Sequence, residues 1–527
     1  MASNPSVMNH DFSRVPSATI PRSSFNRSCG LKTTFDSGYL VPIFVDEALP
    51  GDTFNLRMTS FARLATPLHP FMDNLFMDTF FFAVPIRLIW SNWQRFNGEQ
   101  DNPSDSTSYL VPTMTSTAVT GYANGSIHDY LGLPTQVAGL THSALWHRAY
   151  NLIYNEWFRD ENLQNSVVEN KGDGPDSPTD YTLLRRGKRH DYFTSSLPWP
   201  QKGPAVTLPL GTTAPVVTNL ASPIFTNGSG SIGTTRNLQN ISTGNNGLGL
   251  SGTNIGSVND LRFGSQTGLQ ADLSTATAAT INQLRQAFQI QKLYERDARG
   301  GTRYTEILRA HFGVISPDAR LQRPEYLGGG STPVNVNPVP QTSSTDGVSP
   351  QGNLAAIGTA SIHGHGFTKS FVEHCVILGF VSVRADLNYQ QGLDRMYSRS
   401  TRWDYYWPAL SHIGEQAVLN KEIYATGTVT DNNVFGYQER YAEYRYKPSK
   451  ITGQFRSNYA STLDSWHLAQ NFSSLPVLNS TFIQETPPVA RVLAVPTQPH
   501  FLFDAYFKLH CARPMPVYSV PGLIDHF

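Results

Sequence analysis

The strongest constraint on the fold is a stretch of strict alternation near the end of the chain. Between residues 501 and 511 every second side chain is apolar, while Asp504, Lys508 and His510 lie between them. The apolar set is Phe501, Phe503, Ala505, Phe507, Leu509 and Cys511. Because successive side chains of a β-strand point to opposite faces, this pattern predicts a strand with one buried face.

Strand patterns also occur far from this segment. Phe54, Leu56 and Met58 alternate with polar residues, and residues 75–90, rich in phenylalanine, are predicted to form a strand buried on both faces. Residues 375–387 predict a further half-buried strand after a fully apolar start. Strands at both ends of the chain must pair over long sequence distances. This arrangement is typical of a β-sandwich, and a jelly roll is the obvious candidate.

Helical and polar stretches interrupt the strands. Residues 144–163 and about 271–299 place apolar side chains at helical spacing, so we expect two surface helices that pack on something larger. Residues 328–351 are polar and rich in proline, and we expect them to separate the second helix from the C-terminal strands. Residues 201–270 are dominated by Gly, Ser, Thr and Asn, which predicts either a flexible loop or a thin β-rich outgrowth without a core of its own.

These patterns divide the chain into four parts. Residues 1–30 are polar and contain proline and arginine but few apolar clusters, so we expect an extended N-terminal arm. Residues 31–200 form the first part of the sandwich with a helical insertion, and residues 201–270 are a variable insertion. Residues 271–527 form the second part, with a helix, loops, and a C-terminal strand and tail.

Charge and cysteine content exclude several classes of protein. Lysine plus arginine equals aspartate plus glutamate, 40 each, so the chain has no overall basic field to hold a polyanion. Three cysteines are too few for a disulfide framework. The chain has no apolar run of about 18 residues, and we therefore expect neither a cleaved signal peptide nor insertion into a membrane.

One dense basic cluster stands out against this neutral background. It consists of Arg185, Arg186, Lys188 and Arg189, and Tyr192 and Phe193 follow closely. Such clusters bind phosphates, and neighbouring rings can stack on bases. The same cluster could instead contact acidic groups of a neighbouring subunit, and the residues alone leave both readings open.

A second segment suggests an interface between subunits. Tyr441, Tyr444 and Tyr446 alternate with charged residues in the stretch 437–447, as in a strand edge whose aromatic face packs against a partner. A solvated strand explains the pattern equally well. The aromatic C-terminal tail, residues 517–527, adds Tyr518 and Phe527 as possible interface residues.

The candidate motifs for catalysis, cofactor binding or metal binding lack the sequence context that these functions require. Two G-x-G-x-x-G matches within residues 228–252 neither follow a strand nor open a helix, as dinucleotide binding requires. The pairs His363/His365 and His142/His147 lack further ligands at metal-binding spacing. Neighbouring carboxylates such as Glu439/Glu443 need no role beyond solvation or pairing with arginine. We therefore predict no catalytic, cofactor or metal site, and no enzyme.

Long strings of this sequence resemble one family. Examples are KTTFDSGYLVPIFVDEALPGDTF at residues 32–54, FGYQERYAEYRYKPSKITGQFRS at residues 435–457 and RPMPVYSVPGLIDHF at residues 513–527. Further matching segments are residues 70–93, 288–330, 383–399 and 414–424. In this order they resemble the major capsid proteins of Microviridae, in the gokushovirus branch, over residues 15–200 and 272–527.

The resemblance implies an eight-stranded antiparallel jelly-roll β-sandwich with large loop and helical insertions. It implies a bacteriophage structural protein of the virion, assembled in the host bacterial cytoplasm into a small icosahedral shell around a circular single-stranded DNA genome. Residues 201–270 take the place of the family's three-fold surface protrusion, which is implied to contact a host surface receptor.

The implied partners are further copies of the chain, the packaged single-stranded DNA, a small basic DNA-binding protein, an internal scaffolding protein and a minor pilot protein. The zero formal charge agrees with a separate basic protein. Two other classes stay open on the residues alone. One is a phage fibre or carbohydrate-binding β-sandwich adhesin, and the other is a glycoside hydrolase with a β-sandwich fold.

Overall fold

The computed structural model describes residues 21–200, 202–203, 281–345, 347 and 350–518, together with short segments between residues 216 and 272. The chain forms two compact units. One consists of residues 1–200 and 298–527, and the other of residues 201–297. The first 20 residues and Phe527 lie outside the described residues. Most of the two G-x-G-x-x-G matches also lies outside them.

Nine strands of the first unit form one curled antiparallel sheet. In chain order they are β1 (Ser23–Asn26), β2 (Cys29–Phe35), β3 (Val41–Ala48), β4 (Thr53–Leu64), β5 (Leu75–Pro85), β6 (Glu325–Pro340), β7 (Leu354–Ser370), β8 (Cys375–Ala385) and β9 (Phe501–Arg513). β1 and β2 pair with successive parts of β9 and act as a single interrupted strand. The sheet is therefore eight-stranded in effect.

The sheet curls into two layers that face each other. The first layer has the order β1/β2, β9, β4, β7, and the second has the order β3, β8, β5, β6. Across the gap, the ring centroid of Phe44 on β3 lies 5.1 Å from that of Phe507 on β9, and Phe81 on β5 lies 5.7 Å from Phe367 on β7. This strand order and layering confirm the predicted eight-stranded jelly-roll sandwich.

The alternating segments occupy the first layer as predicted. In β9 and β4 the apolar side chains point into the sandwich and are buried, while the residues between them are exposed. Residues 75–85 are buried on both faces, as predicted, and end in a 3-10 turn at Ile86–Leu88. β8 was expected to be half-buried, and this prediction is wrong. Of its residues only Arg384 is partly exposed.

The outer face of the second layer is covered by an insertion, which explains why β8 is buried. The helix α1 (Leu145–Ile153) packs on this face, and the ring of Tyr150 lies 5.7 Å from that of Phe380 on β8. The Tyr150 hydroxyl also donates a hydrogen bond of 3.0 Å to the Leu40 carbonyl. The prediction of a surface helix is therefore wrong for α1, because every residue of it except Trp146 is buried.

Strand β6 runs through the stretch predicted to be a separating segment, so that prediction is wrong. Residues 325–334 pair with β5 in the second layer, and residues 335–340 pair with β7 in the first. Pro338 and Pro340 lie in the part that pairs with β7 at the edge of the first layer, and Pro333 lies in the part that pairs with β5 at the edge of the second. Proline is tolerated at sheet edges. The glycines of β6 permit close passage, since a Cβ on Gly329 would collide with the Thr79 carbonyl and one on Gly330 with the His365 ring.

The expected N-terminal arm is shorter than predicted. Residues 23–26 and 29–30 already belong to β1 and β2, which pair with β9. The prediction of an arm outside the folded elements is therefore wrong for these residues, because they pair with β9 and Phe25 is partly buried. Residues 1–20 lie outside the described residues.

Loops after β8 form a third apolar cluster with Tyr389, Phe435 and Phe482, and Phe193 from the insertion between β5 and β6 also belongs to it. Small strands join these and other loops, at Thr113–Thr115, Thr141–Ser143, Asn388–Tyr389, Glu415–Leu419, Val434–Glu439 and Ser449–Lys450. Short α-helical turns lie at Trp93–Phe96, Ile127–Tyr130, Tyr304–Ile307, Asp318–Leu321, Asn420–Ile423 and Ser480–Ile483. Other turns include a π-helical one at Tyr154–Phe158, directly after α1, and 3-10 turns at Arg402–Asp404 and Ala442–Tyr444.

The second unit contains nested antiparallel strand pairs. Val216–Thr218 pairs with Leu269–Ala271, Phe225–Asn227 with Leu261–Phe263, and Leu238–Ile241 with Gly247–Leu250. Of the two alternatives for residues 201–270, a flexible loop or a thin β-rich outgrowth, these strand pairs correspond to the second. The helix α2 (Ile281–Gly300) follows, and its apolar stripe was expected to pack. Phe288 in that stripe is instead 66% exposed.

Two neighbouring residues of β9 allow a test of the sandwich. Phe507 is 1% exposed and contacts Phe44 across the layers, whereas Tyr506 is 54% exposed on the opposite face. We expect Phe507→Ala to lower the free energy of unfolding by about 3–5 kcal/mol through the cavity it leaves. Tyr506→Ala serves as the control and should cost under about 1 kcal/mol. Equal effects in urea-unfolding experiments would contradict the inward placement of Phe507.

Candidate assembly surface and basic cluster

The predicted basic cluster, residues 185–189, is bound to the sandwich by isolated β-bridges. Arg185 bridges Tyr39, and Gly187 bridges Gln484. The Arg185 guanidinium lies 4.0 Å from the centre of the Tyr39 ring and donates a hydrogen bond of 3.1 Å to the Glu485 carbonyl. The backbone of this segment therefore follows the end of the sandwich and does not form a free loop.

The other three cations also have partners in their own chain. Arg186 donates to Asp78 at 2.5 Å and Arg189 to Asp386 at 3.0 Å, while the Lys188 ammonium lies 4.4 Å from the centre of the Phe482 ring. Burial lowers the pKa of Arg186 to about 10 and also lowers the pKa of Lys188. Each of the four positive charges is thus engaged before any DNA or subunit arrives.

A pocket of about 600 Å³ opens beside Arg186. Its walls carry both rings and cations, and its lining includes Phe80, Phe82, Trp157, Phe158, Arg186, Arg189, Arg303, Tyr326 and Arg384. Arg186 and Arg384 both bind the Asp78 carboxylate, so a large part of this positive charge is neutralised locally.

The tyrosine segment near residue 441 is a turn and not a strand edge. The strand ends at Glu439, and Tyr441 adopts a left-handed conformation with φ of 61°, which starts the turn Ala442–Tyr444. Tyr441 is only 2% exposed, whereas Tyr444 is 50% and Tyr446 is 41% exposed. The strand prediction is wrong here because Tyr441 packs into its own chain. Tyr444 and Tyr446 retain surface for a partner, as does Tyr518, which is 83% exposed.

The loop opposite this turn carries a larger aromatic surface that pattern reasoning missed. We define the aromatic patch as Tyr397, Trp403, Tyr405, Tyr406, Trp407 and Tyr444, whose exposed fractions range from 39% to 68%. The Arg399 guanidinium lies 4.3 Å from the centre of the Tyr444 ring, and Arg402 lies 4.7 Å from that of Trp407. The rings are therefore held in place while one side of each stays in contact with solvent.

Such a surface has the composition of a protein interface. Aromatic residues and arginine are enriched in the centres of interfaces, and large exposed apolar patches are rare on proteins that remain monomeric. The available sequence signal was the density of rings and arginines in YSRSTRWDYYWP, residues 397–408. It has no strand or helix period, so a search for periodicity passes over it.

Three histidines, one more than the sequence suggested, meet beside α1. His128 Nδ1 lies 2.9 Å from His147 Nε2, and the Tyr122 hydroxyl lies 2.7 Å from His142 Nε2. His128 and His147 are held in direct contact and do not surround an open ligand position. Among the described residues no group of three or more His, Cys, Asp or Glu side chains is arranged to hold a metal ion.

The remaining candidate pairs are also separated or occupied. A β-bulge at residues 363–365 places His363 beside Ser361 and His365 against Thr79. Glu439 pairs with Arg445, and Glu443 with Arg399. All three cysteines are free thiols, and burial raises the pKa of Cys375 to about 12. In the described part of the chain, no helix is both long and apolar enough to span a membrane.

The jelly roll and the ring-rich, preorganised surface define a structural protein built to associate. The sequence profile of the capsid protein (F protein) family matches residues 13–523. The protein called capsid protein VP1 of Bdellovibrio phage phiMH2K is 53% identical over 529 residues, which covers 98% of each chain. The VP1 proteins of Chlamydia phage 1 and Spiroplasma virus 4 are 49% and 37% identical over 98% of this chain, covering 98% and 97% of those proteins.

The chain belongs to the capsid protein (F protein) family. The resemblance to capsid proteins of gokushovirus-like microviruses is thereby confirmed. The protein is a structural capsid protein of a microvirus-type bacteriophage and part of the virion. Membership of this family implies self-assembly into a shell.

The histidine group predicts acid sensitivity. Burial lowers the pKa of His128 to about 4 and lowers the pKa values of His142 and His147, with mutual repulsion adding to the effect at His128 and His147. The folded chain therefore keeps them neutral where the unfolded chain, with a pKa near 6.5, takes up protons. Their stabilisation is complete above about pH 6.5 and is lost as the pH falls toward 4.

We expect the melting temperature of the wild-type chain to fall between pH 7 and pH 5. The contribution of His147 alone is about 1.4 kcal/mol per pH unit below 6.5. His147→Gln removes one titrating group and should flatten the profile, whereas replacement of the exposed His510 with Gln should leave it unchanged. An identical slope for wild type and His147→Gln would contradict the neutral, buried state of this histidine.

Proposed function

We propose that this protein is the major shell subunit of a small icosahedral phage particle that encloses a circular single-stranded DNA genome. The observation that carries the assembly role is the aromatic patch, in which Trp403, Tyr405 and Tyr406 are each more than half exposed on an otherwise well-packed unit. In a closed symmetric shell, one such surface is repeated at every equivalent contact. Many individually modest interfaces then stabilise the particle together.

Packaging of the proposed DNA genome requires positive charge from other components of the particle. The chain has 40 basic and 40 acidic residues, so its total charge cannot neutralise a genome. We infer a small basic DNA-binding protein inside the shell, with an internal scaffolding protein and a minor pilot protein as further partners. Assembly would take place in the cytoplasm of the host bacterium.

The insertion at residues 201–270 is proposed to form the three-fold surface protrusion that contacts a host receptor. Its nested strand pairs support this role, since an outgrowth with little core can vary in sequence without affecting the sandwich. For the cluster Arg185, Arg186, Lys188 and Arg189, the intrachain partners favour a role in fixing the loop over direct DNA contact.

The direct test is negative-stain electron microscopy, with light scattering after size exclusion, on the protein from infected or expressing bacteria. Uniform icosahedral particles are expected. A stable monomer or trimer, in the presence of scaffold and DNA, would favour the fibre or carbohydrate-binding adhesin. A hydrolase would show glycan turnover that is lost when one of two facing carboxylates is neutralised.

The aromatic patch provides the first variant. We expect the double variant Trp403→Ser and Tyr405→Ser to fold normally but to form no particles, because each lost ring costs about 2 kcal/mol at every equivalent contact. Trp403→Phe with Tyr405→Phe retains the rings and should retain particles. Particle yield is read by light scattering and folding by thermal melting. Normal particles from the serine variant would exclude the patch as an interface.

The C-terminal tail provides the second variant. Exchange of the apolar residues between Val517 and Phe527 for serine is expected to abolish shells without unfolding the subunit, since β9 ends at Arg513. A control that changes only Asp525 to Asn and His526 to Gln keeps Tyr518 and Phe527 and should assemble. The yield of intact particles after sedimentation decides between the outcomes, and full yield from the serine tail would refute the role of the tail.

A further inference from the structure

The outer face of the first layer is not covered by any described element, unlike that of the second. We define the open sheet face as the outward-pointing residues of β2, β4, β7 and β9. It exposes three large side chains, Phe61 at 52%, Leu502 at 55% and Tyr506 at 54%. The rings of Phe61 and Tyr506 have no aromatic stacking partner among the described residues. This face therefore presents rings to solvent from the middle of a rigid sheet.

Three cations on this face are unpaired. Arg57, Arg63 and Lys508 are exposed, and none of them has a hydrogen bond or ion pair within the part of the chain that the structure describes. Among the outward-pointing residues of these four strands, all of them described, Asp504 is the single carboxylate, and it pairs with Lys32 at 3.2 Å. The face thus carries uncompensated positive charge in a chain whose total is zero.

The register of β4 and β9 places two of these cations side by side, which destabilises the folded chain when no ligand is bound. Lys508 is directly opposite Arg57, and like charges in that position destabilise a sheet. A local feature that opposes the fold is typical of a site that serves a ligand. The ligand that would relieve this repulsion is an anion.

The face also has the layout of a single-strand-binding surface. Along β4, Arg57 and Arg63 are six residues apart, a span of roughly 20 Å, and Phe61 lies between them. On β9, Lys508 lies opposite Arg57, Tyr506 opposite Thr59 and Leu502 opposite Arg63. Asp504 lies opposite Phe61 in the middle of this row, where Lys32 pairs with its carboxylate. Cations therefore lie at the ends of the row with rings between them. Proteins that bind single strands combine backbone-neutralising cations with rings on which bases stack.

We propose that the open sheet face binds single-stranded DNA, with Arg57, Lys508 and Arg63 contacting phosphates and Phe61 and Tyr506 stacking on bases. The inference rests on the proposed function in that a single-stranded genome lies within the shell. A second copy of the same face fits poorly, because it would bring the same unpaired cations together. The basic cluster at residues 185–189 differs in that its charges are already engaged.

The test measures binding of the full-length, unassembled subunit to fluorescein-labelled oligothymidylate of about 12 nucleotides, a length within the range that one binding domain covers. Fluorescence anisotropy is recorded between about 50 and 200 mM NaCl. The charge variant is Arg57→Gln with Lys508→Gln, and the ring variant is Phe61→Thr with Tyr506→Thr. The control is Arg95→Gln with Lys171→Gln, which removes two exposed cations elsewhere. Thermal melting establishes that each variant is folded.

The two variants should fail in different ways. The charge variant should bind about tenfold more weakly, and the slope of log affinity against log salt should decrease by about 1.4, since two phosphate contacts are lost. The ring variant should also bind about tenfold more weakly but with the salt slope unchanged, because stacking releases no counterions. The control should match wild type. Equal affinity in all four proteins, or equal losses in the control, would overturn the proposal.

Particle formation separates this inference from the proposed function. If both variants bind oligothymidylate normally but no longer form particles, the open sheet face is a subunit interface and the DNA proposal is wrong. If wild type forms no particles yet shows the expected binding pattern, the DNA site stands and the shell proposal fails. Particles that form from the charge variant with reduced DNA content, measured by absorbance, would support both.

Discussion

The structure depends on the insertion of β9 between β2 and β4. This strand comes from residues 501–513, yet its partners begin at residues 23 and 53. Its apolar side chains, such as Phe507, complete the inner face of the first layer and meet Phe44 of the second. The long insertions all lie in the sequence between β4 and β9. Pairing these two strands therefore closes a very large loop, and this closure has an entropy cost that burial of the core must offset. The loops can vary only as far as they leave this pairing intact.

The two layers of the sandwich have opposite relations to solvent. The outer face of the second layer is covered by α1 and its neighbours, which is why β8 is buried on both faces. The outer face of the first layer alternates strictly and remains open. Insertions on one side thus provide a second core. The sheet on the other side keeps an exposed surface.

The sequence predicted correctly those strands whose burial pattern is visible within the strand itself. Alternation in residues 501–511 and 54–59 reports one buried face directly, and the family resemblance supplied the eight-stranded order. The errors arise where a distant residue decides the outcome. The outward face of β8 is covered at Phe380 by Tyr150, which comes from an insertion more than two hundred residues earlier, and the hydroxyl of the buried Tyr441 donates to the carbonyl of Trp403. The cations at 185–189 find their partners at Asp78, Asp386 and Glu485, which spacing in sequence cannot reveal.

Net charge alone gives a misleading view of what such a chain can bind. A total of zero excludes a general basic field, but it does not describe where individual charges are compensated. In the dense cluster, Arg186 shares Asp78 with Arg384, so closely spaced cations add little free positive charge. On the open sheet face, cations that are scattered in the sequence become neighbours through strand register and lack acidic partners. In this chain a basic run is therefore a weaker indicator of uncompensated positive charge than a few cations that the fold brings together and leaves unpaired.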